Sequence, residues 1–308
     1  MNDHGLDLSV SIAGVLLENP VTVASGTFSA RDSGEFYDIN ELGAIITKGV
    51  AMEPWEGNPT PRIAETYGGM LNSVGLQNPG ADAFLREELP YLKMFRPKII
   101  VNIVGKTVAA YCSAAEKLGG ADVDMLEINI SCPNIKEGGI SFGADPKTAA
   151  EITREIKRVT AKPIIMKLTP NVADISEIAR AVESEGADCV SLINTLLGMR
   201  IDVHNKRPVL GNQMGGLSGP AIKPVAVRMV YQVRRAVRIP IIGLGGIMTG
   251  EDAAEFLMAG ADAVSVGTAA LVDPTAPVRI KQELIDFMQQ YGYRNLREIR
   301  ESFLNQNN

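Results

Sequence analysis

The chain has 308 residues, of which 45% are hydrophobic and 21% are charged, a composition typical of a globular protein with a sizeable core. Its net charge of −6 and the absence of dense Lys/Arg runs exclude a nucleic-acid binder of the usual basic kind. No apolar stretch approaches the ~20 residues of a membrane span, and the start has no signal-peptide pattern, so we expect a cytoplasmic protein. The three cysteines have neither disulfide nor metal-ligand spacing, so we expect no bound metal.

Short apolar runs alternate with amphipathic helical patterns along the chain. A hairpin pattern, "LDLSVSIAGVLLENP" (6–20), comes first, and eight runs rich in Val and Ile follow. These runs are apolar on both faces, as strands of a covered parallel sheet are. They span 20–26, 44–50, 99–105, 125–131, 164–170, 189–195, 241–246 and 263–270.

Eight strands that alternate with helices predict an α/β fold, the (β/α)8 TIM barrel, as a single domain over 1–308. The hairpin is predicted to close the barrel floor. A doubly wound sheet is the alternative, but it usually has fewer strands and a clear topological switch point. The stretches 51–76 and 196–219 carry the Gly and Pro content expected of irregular functional loops.

Polar residues or glycines stand at the predicted carboxyl ends of these strands, where barrels of this kind carry their active sites. Lys48 and Lys167 lie inside apolar runs, although lysine is rarely buried unless it is paired. Each could reach the rim or pair with a carboxylate; alternatively, both converge on an anionic ligand. The strand-end residues are Ser25, Lys48, Asn102, Asn129 with Cys132, Lys167, Asn194 with Thr195, Gly245 with Gly246, and Gly267 with Thr268.

The last two strands end in glycine turns. In "IIGLGGIMTGEDAAEF" (241–256) a strand and a turn precede a helix predicted to start near Thr249, and "SVGTAAL" (265–271) repeats the arrangement. Bare N–H groups and a helix N-terminus can bind phosphate without a net positive charge. Glycines also serve simply as turns, but their place after the seventh and eighth strands favours a phosphate site. The motif does not fit the dinucleotide fingerprint.

The cysteines differ in their setting. Cys112 lies in a helical pattern and Cys189 begins a strand, so both are assigned to packing. Cys132 begins a loop between polar residues and has no histidine or metal motif beside it, which favours proton abstraction over nucleophilic attack. The predicted site thus combines a phosphate-binding turn, two lysines, several amides and a thiol base. This combination suits flavin mononucleotide (FMN) and a small heterocyclic substrate.

Several motifs over nearly the whole chain make it resemble the class 1 dihydroorotate dehydrogenases. "GNPTPR" (57–62) and "NIKEGGISFG" (134–143) are most similar to the B type, whereas the fumarate-using A type has a different loop after the cysteine. Class 2 enzymes carry a serine base and an N-terminal extension. The other motifs are "ASGTF" (24–28), "TKGV" (47–50), "LNSVGLQNPG" (71–80), "NISCPN" (129–134), "KLTPN" (167–171), "INT" (193–195), "GGLSGPAI" (215–222), "GLGGI" (243–247) and "SVGTA" (265–269).

The resemblance implies a role for each matching position. Cys132 would be the catalytic base, assisted by Lys48. FMN would be held by Ser25, Lys48, Gly49, Asn102, Asn129, Lys167, Ile193, Gly219, Gly245, Gly246, Gly267 and Thr268. Dihydroorotate would be held by Lys48, Asn72, Ser73, Val74, Gly75, Leu76, Asn129, Asn194 and Thr195.

The resemblance also implies an activity and partners. Dihydroorotate would be oxidised to orotate in UMP biosynthesis, with a hydride passing to FMN and a proton to Cys132. Electrons would reach NAD through a partner subunit that carries FAD and a 2Fe–2S cluster, in a heterotetramer built on a homodimer of this chain. The alternatives are another FMN barrel acting on a reduced pyrimidine, a class 1 enzyme using fumarate, and a phosphate-binding barrel without flavin.

Overall fold

The structure, a computed structural model, describes residues 5–131 and 142–306. Cys132, the predicted base, lies outside the described residues. Within the two described ranges, none of the helices combines the length and the apolar character needed to cross a bilayer.

Strands in the described residues form a closed barrel and three small sheets. In chain order the strands are β1 (Val10–Ile12), β2 (Val15–Leu17), β3 (Val21–Val23), β4 (Ala44–Ile46), β5 (Ile63–Thr66), β6 (Gly69–Asn72), β7 (Lys98–Ile103), β8 (Met125–Asn129), β9 (Ile164–Lys167), β10 (Cys189–Leu192), β11 (Leu196–Met199), β12 (Ile201–Asp202), β13 (Arg207–Pro208), β14 (Met214–Ser218), β15 (Ile241–Leu244) and β16 (Ala263–Val266).

The barrel contains β3, β4, β7, β8, β9, β10, β15 and β16, each strand parallel to the next, with β16 closing onto β3. Nearly every residue of these strands is buried, which explains why their sequences are apolar on both faces. The predicted (β/α)8 barrel is confirmed. Because the eight strands run parallel, all eight carboxyl ends lie on the same rim.

The hairpin of β1 and β2 closes the floor of the barrel, as predicted. Ile12 and Leu17 are fully buried and pack in one cluster with residues near the amino ends of the barrel strands, among them Ala44, Met125 and Cys189. Cys189 is therefore a packing residue, and burial raises the pKa of its thiol well above the ordinary value.

Helices cover the outside of the barrel and supply the caps of the βα connections. One end is set by a capping box: the Thr249 hydroxyl accepts from the N–H of Asp252, and the Asp252 carboxylate accepts from the N–H of Thr249. The described helices are α1 (Ala30–Ser33), α2 (Ala81–Ala83), α3 (Leu89–Leu92), α4 (Val108–Gly119), α5 (Pro146–Val159), α6 (Ile175–Ser184), α7 (Lys223–Ala236), α8 (Gly250–Ala259), α9 (Thr268–Val272), α10 (Ala276–Tyr291) and α11 (Leu296–Leu304), with 3₁₀ turns at Ile39–Glu41, Phe142–Ala144 and Pro220–Ile222 and a π turn at Phe84–Glu88.

A four-stranded antiparallel sheet, in the order β11-β14-β6-β5, lies at the carboxyl rim because its strands follow β4 and β10 in the chain. The prediction of irregular loops over 51–76 and 196–219 is wrong for these strands. Their central pairing joins Asn72 to Gly216 and Leu71 to Leu217, residues far apart in sequence. Local turn composition cannot reveal such a pairing.

Candidate active site

The structure gathers the described site residues at the carboxyl rim. Asn129 and Lys167 are the last residues of β8 and β9 and stand opposite each other in register. The rim sheet contacts this region, since the Thr268 hydroxyl donates a 2.8 Å hydrogen bond to the Ser218 hydroxyl. Ser25 follows β3; Lys48 and Gly49 follow β4; Asn72 ends β6 and 73–76 follow it; Asn102 lies in β7; Ile193, Asn194 and Thr195 follow β10; Gly219 follows β14; Gly245 and Gly246 follow β15; Gly267 and Thr268 follow β16.

A carboxylate that the sequence reasoning did not single out lies at the centre of this group. Glu127, in β8, is fully buried. Its Oε2 accepts a 2.5 Å hydrogen bond from Asn102 Nδ2 and lies 3.6 Å from Lys167 Nζ. Its Oε1 accepts a 2.7 Å hydrogen bond from the Ser191 hydroxyl. The signal was a glutamate inside the apolar run "MLEINI", the same type of signal that identified both lysines.

The Asn102 side chain presents an unused acceptor. Its nitrogen is committed to Glu127, whereas its Oδ1 is buried and has no hydrogen-bond partner in the described part of the chain. Most buried polar atoms in proteins are paired, so an orphaned acceptor at the rim marks a place where a ligand N–H group fits. A methyl group on Gly49 would lie 3.1 Å from this oxygen, so the glycine keeps the approach open.

Lys48 differs from Lys167 because it has no carboxylate within ion-pair distance in the described ranges. Burial, together with the positive charge of Arg62, lowers the pKa of the Lys48 amino group below its ordinary value. A Cβ atom at Gly26 would lie 3.5 Å from Lys48 Nζ, so the amino group faces a surface without a side chain. A half-buried cation of this kind is suited to an anionic ligand.

Asn129 and Asn194 form a cluster with Ser131. Asn129 Oδ1 accepts from the Ser131 hydroxyl at 2.6 Å and from Asn194 Nδ2 at 3.4 Å. Asn194 Nδ2 also donates to the Ser131 hydroxyl. The Asn129 oxygen is thus occupied, whereas its amide nitrogen donates to no residue that the structure describes and can serve a ligand carbonyl. Ser131 is a further residue that the sequence reasoning did not assign.

The predicted substrate segment, residues 72–76, is held by residues that precede β5. Asn58 Nδ2 donates a 2.8 Å hydrogen bond to the Ser73 hydroxyl, and the Asn58 N–H donates a 3.1 Å hydrogen bond to the Val74 carbonyl. Asn72 Nδ2 donates a 3.3 Å hydrogen bond to the Gly216 carbonyl, and in the described ranges the Asn72 side-chain oxygen accepts no hydrogen bond. Asn72 and Asn129 therefore offer opposite halves of an amide pair, as a ring with both N–H and C=O edges requires.

Glycines line the rim after β14 and β15. Gly245 and Gly246 have φ values of +125° and +85°, and a Cβ atom at Gly246 would lie 2.8 Å from the Gly219 carbonyl oxygen. Side chains are excluded here for both reasons. The N–H groups of Gly245, Gly246 and Thr268 donate to no residue that the structure describes, so all three are available to phosphate oxygens.

Helix α8 begins at Gly250 with Thr249 as its N-cap, in agreement with the predicted start near Thr249, but several N–H groups at this end already have partners. The N–H groups of Met248 and Thr249 donate to the Asp252 carboxylate. The N–H group of Gly250 donates a 2.7 Å hydrogen bond to the carboxylate of Glu283 in α10. An anion bound at this helix end would have to displace both carboxylates. The glycine turns therefore offer phosphate donors, whereas most N–H groups at the start of α8 already donate within the described chain.

Comparisons with known proteins agree with this geometry. The model of the family described as Dihydroorotate dehydrogenase matches residues 7–288. The chain is 59% identical over 298 residues to the "Dihydroorotate dehydrogenase B (NAD(+)), catalytic subunit" of Alkaliphilus metalliredigens, covering 96% of this chain and 99% of that protein. The protein of the same name from Geobacter sp. strain M21 is 52% identical over 295 residues, covering 95% and 97%. The chain belongs to the dihydroorotate dehydrogenase family.

Proposed function

We propose that this chain is the catalytic subunit of a B-type dihydroorotate dehydrogenase, which oxidises dihydroorotate to orotate in pyrimidine biosynthesis. The observation that carries the proposal is the contrast between two rim lysines. Lys167 is paired with a buried carboxylate, whereas Lys48 has no such partner in the described residues. The names of the two relatives, which specify this type of enzyme, support it.

The residues at the rim fit FMN. The orphaned Asn102 Oδ1 suits a ring N–H group of the flavin, and the free N–H groups of Gly245, Gly246 and Thr268 suit its phosphate. Lys167 would place positive charge where negative charge develops during reduction. When bound, FMN supplies an acceptor for the hydride that leaves the substrate.

Lys48 and the asparagines would hold dihydroorotate. The Lys48 ammonium offsets the charge of the substrate carboxylate, while Asn72 accepts from a ring N–H and Asn129 donates to a ring carbonyl. Asn194 and Thr195 complete the proposed pocket beside Ser131. This arrangement fixes which face of the ring meets the cofactor, and fixed orientation is a large part of enzymatic rate enhancement.

The proposed base is Cys132, which lies outside the described residues. One ring carbon would give its proton to the Cys132 thiolate as its neighbour gives up a hydride, and a ring C=C bond forms between them. The proton would then pass from the thiol to solvent. A thiol suits this role because its ordinary pKa lies close to neutral pH.

We further propose that electrons leave through a partner subunit carrying FAD and a 2Fe–2S cluster, with NAD as the final acceptor, in a complex of two chains of each kind. The words "NAD(+)" and "catalytic subunit" in the relatives' names support a separate partner. Copurification with an iron-containing flavoprotein and NAD reduction by the pair, but not by this chain alone, would test it.

The primary test is the visible spectrum of the purified chain without oxygen, before and after addition of dihydroorotate. We expect a yellow protein that bleaches when substrate is added. A yellow protein that stays yellow would retain the flavin but contradict the substrate. A chain that stays colourless after incubation with FMN would overturn the flavin chemistry.

A further inference from the structure

We infer that Glu127 is a positioning residue that tunes the reduction potential of the flavin, because it offsets the charge of Lys167 and fixes the Asn102 amide. The inference rests on the proposed function, since it concerns the flavin that the function requires. Glu127 itself has no free oxygen to offer a ligand: Oε2 is shared by Asn102 and Lys167, and Oε1 accepts from Ser191.

The orientation of Asn102 follows from the chemistry of the carboxylate. An ionised carboxylate only accepts hydrogen bonds, so the group that faces Glu127 Oε2 at 2.5 Å must be the amide nitrogen of Asn102. The amide oxygen is thereby turned away and left without a partner in the described residues. Glu127 thus converts an ambiguous side chain into a fixed acceptor.

The charge of Lys167 is offset by the same carboxylate. Only 4% of Lys167 and none of Glu127 is exposed, so water screens their interaction little. The positive charge of Lys167 is thus offset at the rim, whereas Lys48 has no carboxylate within ion-pair distance among the described residues. A reduced flavin carries more negative charge than an oxidised one, and an unopposed Lys167 would stabilise the reduced form. Glu127 limits that stabilisation, so the reduced flavin remains able to pass its electrons onward.

The test is the midpoint potential of FMN bound to Glu127→Gln, measured without oxygen against a reference dye. Glutamine has the shape of glutamate, and its oxygen can still accept from Asn102, so binding of oxidised FMN should be retained. We expect the potential to rise by at least about 30 mV, which corresponds to a tenfold preference for the reduced form of a two-electron couple. An unchanged or lowered potential would overturn the inference.

Thr22→Val is a matched control. Thr22 is fully buried in β3, and its hydroxyl donates a 3.1 Å hydrogen bond to the Val264 carbonyl. This variant loses a buried polar contact in a barrel strand without a change in charge, so its flavin potential should equal that of the wild type. A shift equal to that of Glu127→Gln would show a general response to altered packing and would contradict the assignment.

Two further variants keep the inference testable if Glu127→Gln does not fold. Lys167→Gln leaves the carboxylate unopposed, and we expect its flavin potential to fall. The double variant Glu127→Gln/Lys167→Gln replaces the ion pair with neutral groups, a change that buried pairs often tolerate. Its potential should return toward the wild-type value; a double variant indistinguishable from Lys167→Gln would overturn the role of Glu127. A wild-type chain that takes up no FMN would instead contradict the proposed function.

Discussion

Asn58 holds Ser73 by its side chain: Asn58 Nδ2 donates 2.8 Å to the Ser73 hydroxyl and 3.3 Å to the Ser73 carbonyl. A Cβ atom at Gly75 would lie 2.5 Å from the Asn58 backbone nitrogen and 2.6 Å from the Asn58 Cγ atom, so a glycine is required for this close contact. The proposed substrate segment is therefore shaped by a residue that is expected to make no contact with substrate itself.

Asn58→Ala should weaken dihydroorotate binding while leaving flavin binding intact. The variant loses the two side-chain hydrogen bonds to Ser73, and each such bond contributes about 1 kcal/mol. We expect KM to rise about tenfold with a smaller change in kcat. Asn205→Ala is the control, because Asn205 makes a comparable 2.6 Å bond to Asp202 in an exposed turn. An unchanged KM in Asn58→Ala would contradict the role of residues 72–76.

Cys132→Ala should keep its flavin but reduce it slowly. General-base catalysis contributes about 10²-fold or more, so single-turnover reduction by dihydroorotate should slow by at least that factor. Cys112→Ala is the matched control, since Cys112 is a half-buried thiol in α4 and burial raises its pKa. Normal reduction by Cys132→Ala at neutral pH would remove Cys132 as the base.

As the pH rises, orotate binding should begin to weaken at a lower pH than it would if Lys48 had the pKa of an ordinary lysine. Because burial lowers the pKa of Lys48 below the ordinary lysine value of 10.5, its ammonium group loses its proton at a lower pH than an ordinary lysine does. Above that lowered pKa the Kd for orotate should rise by about tenfold per pH unit, since binding the anion requires the proton. Between the lowered and the ordinary pKa the unfolded chain binds more protons, so the contribution of Lys48 to stability rises with pH.

The measurement is a titration of the flavin spectrum with orotate across alkaline pH. Lys48→Gln should bind weakly without this pH dependence. Lys98→Gln is the control, because Lys98 starts β7 at the opposite end of the barrel and pairs with Asp124 at 3.4 Å. The same pH profile in Lys48→Gln and in the wild type would exclude Lys48 as the titrating group.

Gly267→Ala separates phosphate binding from folding. Gly267 has a φ of −114°, and an added Cβ atom would come no closer than 3.5 Å to its neighbours, an ordinary contact. No close contact opposes the added methyl group, so the flavin-free chain should still fold, as its melting curve would show, whereas a methyl group beside the phosphate should weaken FMN binding at least tenfold. Gly120→Ala is the control: its φ is −73° and its nearest contacts are also at 3.5 Å. Equal FMN affinities in both variants would remove Gly267 from the site.

The barrel was predictable from the sequence because its strands are buried on both faces and leave continuous apolar runs, as in "IIVNIV" and "IIMKL". The start of α8 was predictable because its capping box is local, from Thr249 to Asp252. The rim lysines and asparagines stood out against apolar neighbours. The structure has them at the carboxyl ends of the strands, as the sequence predicts, but their roles in binding and catalysis remain predictions.

Relationships between distant residues were not predictable. The rim sheet depends on the pairing of β6 with β14, and the first turn of α8 is occupied by Glu283 from α10. Glu127 was overlooked because a single carboxylate in a strand gives no sign of its three partners on β7, β9 and β10. Only the register of the barrel brings those side chains together.

The rim sheet joins two sites that sequence keeps apart. Asn72 ends β6, its neighbour β14 runs directly into Gly219, and Gly216 of β14 pairs with Asn72. The ligands proposed for Asn72 and Gly219 would thus act on one hydrogen-bonded unit. If bound cofactor raises the affinity for orotate by some factor, bound orotate raises the affinity for the cofactor by the same factor, because linkage between two sites is reciprocal. If FMN and orotate bind as proposed, bound orotate would help to retain FMN during turnover.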